Sequence, residues 1–142
     1  MIKPIKKIFL TKLINNGNKY NSEKIFKKSI KLLQKKLKKN SKDVLKKSVI
    51  NSSPVLKVKQ IKQRRKQIKE FPYIVNKTLR ISLGLKSIVN SVRLKKKYGF
   101  FYKELTDELL LTTDNKSSTV KLKKNNYENA FKLKKYANFR WV

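Results

Sequence analysis

The sequence predicts a mainly α-helical single domain from which one basic β-hairpin projects. Apolar residues recur at helical spacing in several segments, whereas between Val55 and Val75 they alternate with polar residues as in strands. The 142 residues include 39% hydrophobic residues, enough for one modest core. We therefore expect about six helices and one hairpin in a helical bundle spanning residues 1–142.

The chain opens with a short basic segment, residues 1–8, that continues into an amphipathic helix. Asn15, Asn16 and Gly17 then break the helical pattern. The opening segment contains neither arginine nor a serine-rich spacer, which argues against a transit peptide. No run of about 18 or more apolar residues occurs, so the sequence predicts no transmembrane helix and no stable membrane insertion.

The next two helices are predicted before the hairpin. Ser22 is the expected N-cap of the first, whose apolar stripe comprises Phe26, Ile30, Leu33 and Leu37. Asn40 and Ser41 interrupt the pattern, and a shorter helix follows from about residue 42 to 51, with Leu45 and Val49 inward. Pro54 ends it, because proline disfavours helix in the residue before it.

Residues 55–75 form the predicted hairpin arm. Leu56 and Val58 alternate with lysines, and Phe71, Tyr73 and Val75 alternate after a strongly basic tip. Pro72 restricts the second strand to an edge role, since it cannot donate to a central ladder.

Three more helices are expected after the arm. The first runs from about residue 77 to 92, with one apolar face made by Ile81, Leu85, Ile88 and Val92. The next, from about 100 to 112, buries Phe101, Leu105 and Leu109. After a polar loop, the last presents Tyr127, Ala130, Phe131 and Ala137 to the core, and residues 138–142 form a C-terminal tail.

The charge balance indicates a polyanionic partner. The chain carries 39 Lys+Arg against 8 Asp+Glu, a formal net charge of +31. Like charges at this density destabilise a compact fold, and a nucleic acid that releases its counterions on binding removes that cost. Nucleic acid is therefore the leading partner, and an anionic membrane surface is the alternative.

The hairpin tip is the main candidate binding site. A lysine-rich edge strand protects against aggregation, which explains Lys57 and Lys59. It does not explain KQRRK at the tip, where arginine, scarce elsewhere, occurs twice in succession. Because arginine makes forked contacts to phosphate and stacks on bases, this segment predicts RNA or DNA contact. Lys77, Arg80 and Lys86 lie opposite the apolar stripe of the following helix and either extend this surface or form a solvated face.

Enzymatic function is not predicted. The chain has no histidine and no cysteine, so common catalytic bases, disulfides and thiol-ligated zinc are excluded. Glu104, Asp107 and Glu108 share one helical face and could hold magnesium, but we interpret them as carboxylates that offset neighbouring lysines and aid solubility. We expect no metal and no cofactor.

The C-terminal sequence YANFRW groups aromatic residues around Arg140. Tyr136, Phe139 and Trp141 either dock on the core or stack on exposed RNA bases or a neighbouring protein.

The order of these features resembles the small-subunit ribosomal protein S-seven family of the bacterial and organellar type. The segment from DELL at Asp107 through NKSSTVKLKK to YANFRW is similar without a gap to the family's C-terminal pattern. Its matching residues are Glu108, Leu109, Lys116, Val120, Lys121, Lys123, Tyr136, Ala137, Arg140 and Trp141. ISLGLKSIV resembles the family's fourth helix, with matches at Ser82, Leu83, Leu85, Lys86 and Val89.

This resemblance implies a helical bundle with a protruding hairpin that binds the 3′ major domain of small-subunit rRNA and organises assembly of the head. It further implies neighbouring head and platform proteins as partners, with exit-site tRNA and the mRNA exit path nearby. The rRNA-binding residues it implies are Lys57, Lys59, Lys62, Arg64, Arg65, Lys66, Lys77, Arg80, Lys86, Lys116, Lys121, Lys123 and Arg140.

The chain departs from the family at the arm, where a glycine pair is replaced by Arg, Lys and Gln. We therefore expect a wider and more mobile tip than a tight primed turn. The family's tryptophan in the fourth helix is Ser87 here.

Residue types with AT-rich codons dominate, a bias that organelle genomes and reduced bacterial genomes both produce. The short N-terminal segment leaves little room for an import signal. Together these features favour an organellar ribosome, mitochondrial rather than plastid. The alternatives are a free basic nucleic-acid-binding protein and a peripheral membrane protein that uses its N-terminal segment as an interfacial helix.

Overall fold

Six helices and one antiparallel hairpin make up the computed structural model, which describes residues 2–37, 40–62, 68–95 and 100–137. In chain order the elements are α1 Ile2–Leu13, α2 Lys19–Leu37, α3 Ser41–Ser52, β1 Leu56–Lys62, β2 Ile68–Ile74, α4 Lys77–Leu94, α5 Phe101–Thr113 and α6 Ser118–Lys132, followed by a short 3₁₀ helix, Lys134–Tyr136. The predicted fold class, a mainly helical bundle with a hairpin, is confirmed.

Side-chain caps define several helix starts. The Asn40 side chain accepts a hydrogen bond from the backbone N–H of Lys42, and the Ser117 side chain accepts one from Val120. The prediction that Ser22 caps α2 is wrong. The chain turns through positive φ at Asn16 and Gly17, so that the Asn18 side chain accepts from the backbone N–H of Asn21. α2 therefore starts three residues earlier than Ser22, at Lys19.

α4 lies at the centre of the core. Its Leu85, Ile88 and Val92 are fully buried, as are Leu105 and Leu109 of α5. These are the residues at which the sequence predicted apolar stripes at helical spacing. The helical periodicity of apolar residues in α4 and α5 therefore determines which side chains form the centre of the core.

The apolar face of α1 is part of the same core. Phe9 is 1% exposed and Leu13 is 6% exposed, and the Phe9 ring packs edge-on against Phe26 at a centroid distance of 5.4 Å. This face is therefore turned away from solvent, which argues against the peripheral membrane alternative. In the part of the chain that the structure describes, no helix is long and apolar enough to cross a bilayer.

The hairpin is fixed to the bundle at its root. Its register pairs Leu56 with Ile74 and Lys62 with Ile68, and the backbone N–H of Val75 donates to the Val55 carbonyl at 2.9 Å. Phe71 and Val75 are buried, and the Val55 N–H donates to the Tyr127 hydroxyl of α6 at 2.8 Å. The predicted mobile tip, residues 63–67, lies outside the described residues.

α6 packs through a narrower face than the sequence predicted. Ala130 is 3% exposed and Tyr127 is half-buried, but Phe131 is 71% exposed. Successive residues on a helix point about 100° apart, so burial of Ala130 turns Phe131 to solvent. The prediction that Phe131 faces the core is wrong.

Candidate nucleic-acid interface

A basic groove lies between β1, α4 and α6. One lysine from each element lines it: Lys57, Lys86 and Lys123. Its volume is about 220 Å³, and the remaining lining residues are Ser52, Pro54, Leu83, Ser87, Asn90, Thr119, Leu122 and Asn126. Three predicted contact residues that are distant in sequence thus meet at one concave surface.

The groove continues along β1. Lys57 and Asn126 also line an adjoining depression of about 380 Å³, together with Val58, Lys59, Gln60, Glu70, Tyr73 and Asn129. Because the two depressions share Lys57 and Asn126, they form one surface from α4 to the outer part of the hairpin. We call this whole surface the basic groove.

The local folding of β1 and α4 aims their lysines outward. In β1, Leu56 and Val58 are half-buried, so the alternating side-chain directions of a strand leave Lys57 and Lys59 exposed. In α4, burial of Leu85 and Ile88 leaves Lys86 exposed between them. The apolar pattern therefore determines where these positive charges lie.

Lys123 is held more firmly than the other two groove lysines. Its side chain is half-buried, and its ammonium donates to the Asn51 carbonyl at 2.9 Å. The Asn51 side chain in turn donates to the Thr112 and Thr113 carbonyls. Burial lowers the pKa of Lys123 below its usual value. A fixed, partly desolvated ammonium attracts a phosphate more strongly than a fully hydrated one.

Lys77 and Arg80 lie where the hairpin joins α4. Lys77 is exposed, and Arg80 is half-buried with its Nε donating to the Val75 carbonyl at 2.7 Å. This bond orients the guanidinium at the hairpin root. Neither residue lines the basic groove, and their RNA contacts stay a prediction.

The other predicted residues are dispersed. Lys62 is exposed at the end of β1, and Lys116 and Lys121 are exposed around the start of α6. The predicted residues that lie outside the described part of the chain are Arg64, Arg65, Lys66, Phe139, Arg140 and Trp141.

Tyr136 contacts the root of the hairpin. Its ring meets that of buried Phe71 edge-on, with centroids 6.2 Å apart and planes at 79°. The docking interpretation of the C-terminal aromatic residues therefore applies to this ring.

Several polar groove residues were not anticipated from the sequence. Asn90 and Asn126 bring amide groups that can donate to phosphate or sugar oxygens. Helical spacing could have indicated both residues. Asn90 follows Lys86 by four residues and Asn126 follows Lys123 by three, so each lies on the same helix face as a predicted lysine. Nothing in the sequence indicates that these two helix faces meet each other and β1.

The structural role of Glu108 was also not anticipated from the sequence. Its side chain is fully buried, and the hydroxyls of Ser91 and Thr119 donate to its Oε1 at 3.0 and 2.6 Å, while the Lys95 ammonium pairs with its Oε2. Burial alone would raise the pKa of Glu108, but the hydrogen bonds from Lys95, Thr119 and Ser91 outweigh it and hold the pKa below its usual value.

The interpretation of the acidic residues is therefore correct only in part for Glu108, which offsets a lysine, Lys95, but is fully buried and so does not aid solubility. This carboxylate ties α4, α5 and the start of α6 together, whereas exposed Asp107 pairs with Lys36. Within the described ranges, no group of three acidic, histidine or cysteine residues is arranged to hold a metal ion.

The fold and the basic groove together define a strongly cationic helical domain with a hairpin arm, an arrangement typical of proteins that contact nucleic-acid backbones. Comparison with known families gives a specific match: the model of the family described as ribosomal protein S7p/S5e matches residues 3–132. The chain belongs to this family of ribosomal proteins.

Individual relatives agree with the family match. A protein of Oleidesulfovibrio alaskensis named small ribosomal subunit protein uS7 is 29% identical over 133 residues, which cover 94% of this chain and 84% of that protein. Proteins of the same name from Nitratiruptor sp. and Thermotoga neapolitana are 28% and 29% identical, over 94% of this chain and 85% and 88% of their own lengths.

Proposed function

We propose that the chain is a structural, RNA-binding constituent of the small ribosomal subunit. Family membership and the names of the relatives support assignment to the small ribosomal subunit. The observation that carries RNA binding is the basic groove, in which β1, α4 and α6 each contribute a lysine to one concave surface.

The proposed mechanism is neutralisation of phosphate charge where RNA helices converge. Lys57, Lys86 and Lys123 approach one site from three elements of a packed bundle. Two phosphate backbones that repel each other can then lie close together, because the lysine charges neutralise their phosphates, and the release of condensed counterions favours binding. This role is structural rather than catalytic.

The finer assignment rests on the resemblance to the family. We propose that the bound RNA is the 3′ major domain of small-subunit rRNA, and that binding organises assembly of the subunit head beside neighbouring head and platform proteins. The hairpin would extend toward the exit-site tRNA and the mRNA exit path. Its root is fixed by the bond from Val55 to Tyr127, which suits an arm that must hold a direction.

We further propose that this ribosome is organellar, mitochondrial rather than plastid. The supporting observation is compositional: lysine greatly outnumbers arginine, which occurs only at Arg64, Arg65, Arg80, Arg93 and Arg140, and alanine occurs only at Ala130 and Ala137. AT-rich codons, which are common in organelle genomes and also in reduced bacterial genomes, produce this bias. The three relatives described above are bacterial and do not distinguish a mitochondrion from a plastid. Cell fractionation is needed to decide the compartment.

Sedimentation tests the proposal. Mitochondrial and plastid lysates from the source cells are run on gradients containing about 0.5 M salt, at which exposed ion pairs are heavily screened. We expect the chain to travel with the small subunit from mitochondria, and to move to the top after ribonuclease treatment. Its presence at the top before nuclease treatment, or with DNA, would overturn the ribosomal assignment in favour of a free nucleic-acid-binding protein.

A further inference from the structure

A pair of aromatic rings lies on the surface at the start of α5, among residues that do not line the basic groove. Phe100 occupies the N-cap position of α5 without a side-chain capping bond and is 64% exposed, and Tyr102 is half-buried. Their ring centroids are 5.6 Å apart, and the ring planes differ by 31°. The neighbouring Phe101 packs against the hydrophobic core, so the core does not account for Phe100.

Two lysines flank this aromatic pair. The Lys103 ammonium lies 5.0 Å from the centroid of the Phe100 ring, and the Lys28 ammonium, from α2, lies 5.4 Å from the centroid of the Tyr102 ring. Two helices thus place a positive charge against each of two adjacent rings. Aromatic faces beside cations are the combination with which proteins hold single-stranded nucleic acids.

We propose that Phe100 and Tyr102 form a stacking platform for an unpaired nucleotide, with Lys28 and Lys103 contacting its phosphates. This inference rests on the proposed RNA-binding function and adds a second contact surface to it. We call these four residues the aromatic platform.

Stacking of a base on the Phe100 ring is stronger than the cation–π contact that Lys103 makes with it. An exposed cation–π contact changes an equilibrium constant by about a factor of 2 to 5. Stacking a base on an aromatic side chain changes it by about a factor of 5 to 150. A base can therefore displace the Lys103 ammonium from Phe100, and the released ammonium can pair with the phosphate of the same nucleotide.

The chain contains matched controls. Tyr20 is 73% exposed with the Lys24 ammonium 5.9 Å from its ring, and Phe131 is 71% exposed with the Lys134 ammonium 5.1 Å away. Each has a lysine on its ring, as in the platform, but no aromatic partner is described beside it. If any exposed aromatic residue on a basic surface were sufficient to bind single-stranded RNA, Tyr20 and Phe131 would contribute as much to the affinity as Phe100.

The test uses the full-length chain and two labelled probes, a single-stranded oligouridine of about ten nucleotides and an RNA duplex of the same length. Affinities are measured by fluorescence anisotropy at about 0.15 M salt. We expect Phe100→Leu to weaken oligouridine binding about 5- to 10-fold and Phe100→Tyr to preserve it, since tyrosine retains the stacking ring. Duplex binding should change less than twofold, because paired bases are not available for stacking.

The controls and the outcomes separate the two proposals. Tyr20→Leu and Phe131→Leu should leave oligouridine binding within twofold of the unchanged chain. Equal losses in these controls, or no loss in Phe100→Leu while the duplex still binds, would overturn the platform and leave the proposed function standing. Failure of the unchanged chain to bind either RNA would overturn both.

Discussion

A single buried carboxylate determines how three helices meet. Glu108 of α5 accepts hydrogen bonds from Ser91 of α4 and Thr119 of α6, and pairs with Lys95 at the end of α4. The start of α6 precedes the groove residue Lys123 by about one turn. The geometry of the basic groove therefore depends on a residue that does not line it.

Replacing Glu108 tests this role. Glu108→Gln removes the charge and points an amide at groups that donate, so we expect a loss of about 2–4 kcal/mol in the free energy of unfolding, measured by urea denaturation. The matched control is Asp107→Asn, one residue earlier. Its ion pair with Lys36 is about half exposed, and its loss should cost less than about 1 kcal/mol. Equal effects of the two changes would contradict the structural role.

The same residue gives a prediction for pH. The pKa of Glu108 is lowered in the folded chain, so its ionised form stabilises the fold above the unfolded pKa of about 4.3. That stabilisation is lost as the pH falls through the lower, folded pKa. We therefore expect the unfolding free energy to fall more steeply below about pH 4.5 in the unchanged chain than in Glu108→Gln. Parallel pH profiles from urea denaturation would count against a lowered pKa.

Gly84 allows α3 and α4 to approach closely. A Cβ at this position would lie 2.8 Å from the Ser52 hydroxyl and 3.1 Å from the Ser53 Cα. Both serine hydroxyls donate to the Val49 carbonyl, so they are not free to turn away without losing a bond. Gly84 thus has a packing function at the contact between α3 and α4.

We expect Gly84→Ala to destabilise the fold by about 1–3 kcal/mol, because overpacking outweighs the helix propensity gained. Urea denaturation measures the change. The control is Thr78→Ala, an exposed position in the same helix, which should shift stability by no more than about 0.5 kcal/mol. A more stable Gly84→Ala protein would show that α3 and α4 separate easily.

At the scale of elements, helix and strand periods were sufficient to predict the architecture. The alternation of Leu56 and Val58 with lysines predicted β1, and the stripe through Leu85, Ile88 and Val92 predicted α4. These features are local, so one sequence shows them. The cap at Asn18 was missed because Ser22 is an equally good capping residue, and backbone geometry at Gly17 decides between them.

The candidate site could be predicted only as a set of separate residues. Lys57, Lys86 and Lys123 were each identified, but their meeting depends on how β1, α4 and α6 pack. The role of Glu108 has the same origin, because its partners come from positions 91, 95 and 119. No periodicity within one element contains such information.

The basic groove gives a prediction at this scale. Lys57 and Lys86 are exposed, so Lys57→Gln/Lys86→Gln should not alter the fold. If each contacts a phosphate, the slope of log binding constant against log salt for an rRNA fragment should fall by about two units in total. The control is Lys7→Gln/Lys47→Gln, an exposed pair outside the groove, which should change the slope less. Equal slopes for the two double variants would argue for diffuse attraction without a defined groove.

At the scale of the whole molecule, the chain's positive charge exceeds what its own acidic groups can balance. Against 39 Lys+Arg, the described residues show three ion pairs, Lys36–Asp107, Lys46–Asp43 and Lys95–Glu108. The compact bundle therefore concentrates a charge of +31 whose mutual repulsion opposes folding. The hydrophobic core favours folding, whereas charge repulsion at the surface opposes it. The binding of a polyanion would reduce this repulsion.

This charge repulsion predicts that the stability of the fold depends on salt concentration. Raising NaCl from about 0.02 to 0.3 M shortens the Debye length from about 20 to 6 Å, so repulsion weakens and the midpoint of thermal unfolding, followed by circular dichroism, should rise by several degrees. The comparison is a chain in which four exposed α2 lysines, Lys24, Lys27, Lys31 and Lys35, become glutamine. Because glutamine and lysine have similar helix propensities, this variant differs chiefly in charge, and its midpoint should be higher at low salt and rise less. A midpoint that falls with salt, or rises equally in both chains, would mean that surface repulsion does not limit the stability of this fold.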